Sequence, residues 1–422
     1  MKKILIIEDD PVVAHVYRSR LEKEGFEVDV APDGQAGYYQ LYAMKPDALL
    51  LDLMLPKLNG IALLKKIRAV REFEKLPVIV FTNAYVANMI HEAFTAGATA
   101  VYNKSSVTPR QIIDAIHTST GQGVVDSGSS AGILTGNTSF ANSKEDAAFQ
   151  KDLLASFLNG TAAAVSEMRK PLQEISKTVD EARTPHLETL YRKVRAFASN
   201  AGVAGMPALA KMGAATEALV KELLDKPKSV TPSTLRTTAH ALDFFNELAK
   251  PGLPADFSEN PPIDILIVDD EVLSRRAIVY ALEKAFMKVT AVEDGEAAMA
   301  RARGTKFDLA FLDVHMPGLD GFQLCDKLRA EGPNKSTPVI FVTSTADFQV
   351  RAQSTLRGAS DVIAKPFMFI ELSVKALTFA LRHRIETQKA YVATVAATSS
   401  ATTPPGARTS LVPESEHTGA IV

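Results

Sequence analysis

The sequence predicts an α/β protein made of two doubly wound parallel sheets with an all-α bundle between them. Three observations predict this. Segments near the start return far along the chain at one constant offset. Each copy alternates short β-rich runs with amphipathic stretches, the pattern of a parallel sheet covered by helices on both faces. The stretch between the copies, residues 145–252, carries helical periodicity only.

An internal repeat of this length sets the frame of the whole fold. "KILIIEDD" (3–10) returns as "DILIVDDE" (264–271), "LLLDLMLPKLNG" (49–60) as "AFLDVHMPGLDG" (310–321), and "PVIVFTN" (77–83) as "PVIFVTS" (338–344). Positions 8 and 269, 52 and 313, 56 and 317, 60 and 321, 82 and 343, 97 and 358, and 104 and 365 all lie 261 apart, so two domains of one fold share a frame. In the first copy the strands read "KILII", "EVDVA", "ALLLD", "PVIVFT" and "AVYN", with helices between and after them, five of each per copy. Asp10-Pro11 reads as an N-cap with proline at the first helical position, Gly25 as the stop of that helix, and Thr108-Pro109 as the opening of the last one.

The expected domains are residues 1–119, a Gly/Ser/Thr/Asn-rich flexible linker at 120–144, the bundle at 145–252, a second linker at 253–262, the second α/β copy at 263–387 and a disordered tail at 388–422. In the bundle Leu154, Leu158, Val165, Met168, Leu172 and Ile175 recur at threes and fours, as do Leu187, Leu190, Val194 and Phe197, which gives four or five helices. Pro171 is expected to kink or restart the first of them.

Composition limits the function classes. With 47 Lys+Arg against 49 Asp+Glu, the net charge of −2 gives no global attraction to nucleic acid or acidic membranes. The apolar stretch of "MKKILIIEDDP" stops at Glu8, too short for a signal-peptide core or a membrane span, so a cytoplasmic location is expected. The single cysteine, Cys325, excludes an intramolecular disulfide and reads as a buried helix residue.

The candidate site follows from topology. In a parallel sheet of this kind ligands gather beyond the carboxyl ends of the strands, where the strand order reverses. Glu8 and Asp9 close the first strand, Asp52 the third, Thr82 the fourth and Lys104 the fifth, and all can converge there. Carboxylates held that close resist ionisation unless a cation shares them, and Mg²⁺ suits hard oxygen ligands while leaving positions for phosphate oxygens. Such a cluster can neutralise a phosphoryl donor while Asp52 attacks in line, with the Lys104 ammonium and the Thr82 hydroxyl holding other phosphoryl oxygens.

These residues resemble the receiver domain of two-component response regulators, over about 1–118 and again over 263–385. The resemblance implies a flavodoxin-like (βα)5 fold with Asp52 and Asp313 as phosphoacceptors. It implies Mg²⁺ bound by Glu8, Asp9 and Asp52 with the Met54 backbone, and by Asp269, Asp270 and Asp313 with the His315 backbone. Thr82 and Thr343 become switch hydroxyls, and Lys104 and Lys365 phosphate-binding lysines. Asp10 and Glu271, third in their acidic runs, read as helix caps. Haloacid-dehalogenase-type phosphatases share an aspartyl nucleophile but carry an acid two residues on, where this chain has Met54 and His315.

The copies differ. Lys365-Pro366 matches the family's Lys-Pro, commonly a cis peptide, whereas the first copy has Lys104-Ser105. Ser344 is small after the switch threonine and Asn83 is not. Val101 and Val362 stand where many receivers carry an aromatic, with Tyr102 one place on. Asp313 is therefore the safer phosphoacceptor.

The stretch "LYRKVRAFASNAGVAGMPALAKM" resembles a histidine phosphotransfer (HPt) domain whose histidine position holds Arg195, with Ala198 and Ser199 in place of Lys and Gly. Arginine stays protonated and carries no labile phosphoryl group. His186 and His240 lack the motif around them. The expectation is a phosphorelay protein, no enzyme beyond slow self-dephosphorylation, taking phosphoryl from a histidine kinase or an active HPt protein and acting on a downstream protein target. A receiver-mediated homodimer stays open, and no nucleic-acid or membrane partner is expected. The alternatives are a scaffold that never accepts phosphate, and a transcriptional regulator acting through "TLRTTAHALDFFNEL", whose basic character is weak.

Overall fold

A computed structural model describes residues 1–82, 87–104, 107, 109–121, 144–250, 262–285, 287–344 and 357–400. Met1–His383 forms one compact unit and the segment from Arg384 a second.

The first domain runs β1 (Lys3–Ile7), α1 (Pro11–Lys23), β2 (Glu27–Ala31), α2 (Gly34–Met44), β3 (Ala48–Leu51), α3 (Gly60–Arg68), β4 (Val78–Thr82), α4 (Ala87–Thr95), β5 (Ala100–Asn103) and α5 (Pro109–Ser119). Its sheet is parallel in the order β2-β1-β3-β4-β5. The all-apolar runs "ALLL" and "VIVFT" are buried throughout as β3 and β4, because helices cover both faces. "EVDVA" alternates, and β2 accordingly takes the sheet edge with Glu27 and Asp29 exposed. The order reverses between β1 and β3, so the crevice opens where Glu8, Asp9 and Asp52 leave those strands.

Helix ends follow local chemistry. Asp10 caps α1 by accepting from the Val12 and Val13 amides, with Pro11 in the first turn, and Gly25 takes φ 86° just beyond its end. Thr108, Asn83 and Ser105 lie outside the described residues, as do residues 122–143 of the first linker and 251–261 across the second.

The bundle is α6 (Lys144–Lys177), α7 (Thr184–Val203), α8 (Pro207–Asp225) and α9 (Pro232–Leu248). Val165, Met168, Leu172 and Ile175 of α6 are buried with Leu187, Leu190 and Val194 of α7, and Phe197 stacks on Phe245 at 4.9 Å. The expected restart at Pro171 does not occur, for α6 runs through it. Met168, Leu172 and Ile175 are buried on both sides of the proline, and their packing offsets the lost hydrogen bond.

The second sheet domain is β6 (Asp264–Val268), α10 (Val272–Lys284), β7 (Lys288–Val292), α11 (Gly295–Gly304), β8 (Leu309–Asp313), α12 (Gly321–Ala330), β9 (Val339–Thr343), β10 (Asp361–Ala364) and α13 (Phe369–Ser400). Its order, β7-β6-β8-β9-β10, repeats the first, and so does its register. Ile4 pairs with Ala48 and Ile265 with Leu309; Ile79 pairs with Ala100 and Ile340 with Asp361. The helix expected between β9 and β10 falls at 345–356, outside the described residues. Cys325 is buried on α12.

The tail expected from residue 388 is corrected, since α13 continues to Ser400. "QKAYVATVAAT" (388–398) is rich in alanine and lacks glycine and proline, so it can extend a helix already begun.

Candidate functional site

Ladder hydrogen bonds fix where each strand releases its polar residue. The Glu8 amide donates to the Ala31 carbonyl (3.0 Å), Asp52 to Ile7 (3.0 Å), Lys104 to Thr82 (3.0 Å) and Lys365 to Thr343 (2.8 Å). Each chemistry-bearing side chain therefore starts from a rigid strand end.

In the first domain Lys104 Nζ lies 2.6 Å from Glu8 Oε2 and 2.9 Å from Asp52 Oδ2, with all three side chains at most 2% exposed. The Met54 amide donates to Asp52 Oδ1 at 3.1 Å. Thr82 Oγ1 is buried without a hydrogen-bond partner among the described residues. Burial pushes the Glu8 carboxyl above its usual range despite Lys104, and the Asp52 charge adds to the rise. Burial acts on Asp52 too, but there the Lys104 ammonium and the Arg195 guanidinium win and hold the carboxyl well below its usual range.

Arg195 is the unexpected member. From α7 of the bundle its Nη2 donates to Asp9 Oδ1 at 2.7 Å and to Asp52 Oδ2 at 2.8 Å. Its Nε stands 3.9 Å from Glu217 Oε1 of α8, and Glu217 Oε2 has no hydrogen-bond partner among the described residues. The sequence placed Arg195 at the position of an absent histidine; the structure puts it on its own chain's Asp52. Asp52 accordingly has two side-chain cations beside it, where the sequence supplied only Lys104 and a metal.

The second domain repeats the cluster, and among the described residues its carboxylates carry no counterpart of Arg195. Lys365 Nζ lies 2.6 Å from Asp313 Oδ2, 2.9 Å from Asp269 Oδ2 and 3.7 Å from Glu271 Oε2. The His315 amide donates to Asp313 Oδ1 at 3.2 Å, and the His315 side chain is exposed. Burial works against the Lys365 ammonium, yet its bonds to Asp313 and Asp269 hold its pKa above the ordinary value. Thr343 is buried at the end of β9, and the Lys365-Pro366 peptide is cis. No guanidinium reaches the side chain of Asp270 or Asp313 among the described residues. The Glu271 carboxylate does not cap α10, although the residue stands at the N-cap. Its extra methylene makes it a poorer cap than Asp10, and the side chain turns to Lys365 instead.

Some contributors carried no expectation. Ser274 Oγ donates to Asp269 Oδ2 at 2.5 Å and Arg275 Nη1 to the Asp269 carbonyl at 2.5 Å, bracing the second acidic loop where the first copy has Val13 and Ala14. Gly60 and Gly321 lie beneath the backbone of Asp52 and Asp313. A Cβ on Gly60 would stand 2.3 Å from the Asp52 carbonyl oxygen, and one on Gly321 2.0 Å from that of Asp313. Their recurrence at the 261 offset was the available signal.

Glu8, Asp9 and Asp52 each offer an oxygen within 4.8 Å of the others, and Asp269, Asp270 and Asp313 do the same. Two such sets of hard oxygen donors fit a small divalent cation.

The response regulator receiver domain model matches residues 4–117 and 265–377, more than half of the chain, and the chain belongs to that family. It is 38% identical over 115 residues to the transcriptional regulatory protein ResD of Bacillus subtilis, covering 27% of this chain and 47% of ResD. It is 35% identical over 111 residues to the two-component response regulator PhoP of Pseudomonas aeruginosa, covering 26% of this chain and 48% of PhoP. The chain thus spans about half the length of these relatives. A putative response regulator from Chloroflexus aurantiacus has a solved structure that is 28% identical, with a TM-score of 0.27, covering 28% of this chain and 98% of that one.

Proposed function

We propose that this chain is a phosphorelay protein whose second receiver accepts a phosphoryl group on Asp313 and whose output is a change of protein–protein contacts. One observation carries the reading: Asp313 is held by the Lys365 ammonium at 2.6 Å and the His315 amide at 3.2 Å, with Asp269 and Asp270 close enough to share one cation with it.

The chemistry is phosphoryl transfer. The N–P bond of a phosphohistidine donor, on a histidine kinase or an active HPt protein, breaks as a carboxylate oxygen of Asp313 bonds to phosphorus, and the donor imidazole is released. Asp269, Asp270 and Asp313, with the His315 backbone, would hold Mg²⁺, which would offset the negative charge of the donor and the carboxylates. Lys365 holds a phosphoryl oxygen, and the Thr343 hydroxyl takes another. The modification adds about −1.5 to −2 charge at a crevice where the first and third strands of that sheet end, and shifts the balance of loop conformations around it.

On this reading the chain acts as a phosphoacceptor in the cytoplasm, with at most slow self-dephosphorylation, and its described residues supply neither an enzymatic nor a DNA-binding output. Transcriptional control belongs to the relatives named for it. The helix that a regulator would use, α9, buries one face among its neighbours and gives Ser233 and Thr237 to a contact with Glu371 of α13, which favours a packing role. No helix of the described residues is long and apolar enough to cross a membrane.

The test is intact-mass measurement of the full chain after incubation with Mg²⁺ and acetyl phosphate. Asp313→Asn is expected to lose the phosphoryl adduct carried by the wild type. An adduct unchanged in that variant ends the assignment.

A further inference from the structure

The two receivers share a frame, a register and a set of acidic residues, yet their sites are not equally reachable. The Asp313 side chain is 8% exposed, Lys365 15% and Glu271 60%, and Asp270 is exposed as well. Around Asp52 the corresponding side chains are less exposed, with Asp52 and Lys104 at 2% and Asp9 at 28%, and a guanidinium of the bundle lies on two of them. Arg195 Nη2 bridges Asp9 and Asp52, two of the three carboxylates of the first cluster. The contact is anchored beyond one ion pair. Phe149 of α6 lies under the Arg20 guanidinium of α1 at 4.2 Å. Val203, at the end of α7, is buried in the same apolar cluster as Val16 and Tyr17 of α1, with Phe149 and Leu153 packed against it. The Gln150 side chain ties α6 to the Val203 carbonyl at 3.0 Å.

A divalent ion of the magnesium class binds carboxylate oxygens at about 2.0–2.1 Å and needs the space between them. A guanidinium nitrogen bridging the same oxygens at 2.7 and 2.8 Å fills that space. The two cations compete for Asp9 and Asp52.

We propose that Arg195 is a tethered occupant of the first receiver's divalent-cation site, so that metal binding and phosphoryl acceptance at Asp52 require the helical bundle to withdraw. By linkage the effect is reciprocal: whatever favours the ion at Asp9 and Asp52 disfavours the docked bundle by the same factor. The resting chain is therefore asymmetric, with Asp313 open and Asp52 held in reserve. The inference rests on reading Asp9 and Asp52 as metal ligands within a receiver, and the second receiver serves as the internal control.

The test counts Mn²⁺ ions bound to the full-length chain by electron paramagnetic resonance, since the chain has no tryptophan to report binding by fluorescence. Wild type is expected to bind one ion tightly, at the second receiver, and Asp313→Asn to weaken it. Arg195→Gln, which keeps most of the side-chain volume without the charge, is expected to bind a second ion at least tenfold more tightly than the first receiver of the wild type does, and to gain an acetyl phosphate adduct on Asp52. Two equal ions in the wild type, or no second ion in a folded Arg195→Gln chain, overturns the proposal. Should the variant fail to fold, hydrogen exchange on the wild type decides: α7 amides around Arg195 are expected to lose protection as Mn²⁺ rises, and unchanged protection at saturation overturns it. Loss of ion binding at the second receiver alone would count against Asp313 and leave Arg195 untouched.

Discussion

Arg195 shows how one residue type alters a site without touching its other members. A histidine there could carry a phosphoryl group; a guanidinium offers only donors and a permanent charge, and it settles on Asp9 and Asp52. Behind it Glu217 is buried, and burial lifts its carboxyl from 4.5 to about 7, with the Arg195 charge pulling the other way. The folded chain then binds more protons than the unfolded chain between those values. This contribution to stability is complete below about 4.5 and is lost as pH rises through 7. Glu217→Gln removes the loss. Relative to wild type the variant is expected to gain stability on going from pH 4.5 to 8, by an amount of order 3 kcal/mol, read from urea unfolding at a series of pH values. A difference that stays constant with pH contradicts the assignment. Lys104, Asp52 and Thr82 were legible from the repeat. Glu217 was not, because a glutamate within a helical pattern reads as a solvated face until its neighbours are known.

At the level of elements, parallel strands and their crossovers deliver the site, and small residues set how closely loops approach it. The Gly60 amide donates to the Leu53 carbonyl at 2.8 Å and the Gly321 amide to Val314 at 3.1 Å, so each glycine closes the turn that follows its aspartate. Gly321→Ala forces the Asp313 carbonyl away from a Cβ that would otherwise stand 2.0 Å from it. The expected cost is about 1–3 kcal/mol in denaturant unfolding. Acetyl phosphate labelling of Asp313 should slow as well, since the carboxylate moves off Lys365; normal labelling in a destabilised variant would show that the glycine serves packing alone. Strand positions were legible nearly to the residue because four- and five-residue apolar runs bounded by charges and prolines leave little choice. Helix ends were less so: α6 passes Pro171 and α13 passes residue 387, because packing and alanine content decide such cases where composition suggests a break.

For the molecule as a whole, the bundle meets the two receivers through different surfaces. It engages the first at α1 and the acidic crevice. It engages the second through α13, where Ser233 and Thr237 donate to Glu371 at 2.6 and 3.1 Å, Arg382 pairs with Glu247 at 3.1 Å, and the Thr378 hydroxyl reaches Met212 Sδ at 3.7 Å. Glu371 is buried there. Glu371→Ala takes the carboxylate acceptor from the Ser233 hydroxyl and leaves Thr237 only the Ser233 carbonyl at 2.9 Å, and about 1–3 kcal/mol of coupling is expected to go with it. Calorimetry of the full chain is expected to show the second receiver melting apart from the bundle in this variant; one unchanged transition would mean that apolar contacts alone carry the junction.

Residue order alone was enough to specify two parallel-sheet domains in one frame and the acids, threonines and lysines at their strand ends, because strand period and strand-end polarity are local properties of the chain. It also marked Arg195 as standing where a histidine belongs. Only the folded chain revealed which carboxylates that arginine meets, which of two equivalent sites the bundle touches, and that Glu217 lies beneath. Those facts depend on how the bundle lies against each receiver, and such packing is decided by surfaces brought together from distant parts of the chain, which no local pattern encodes.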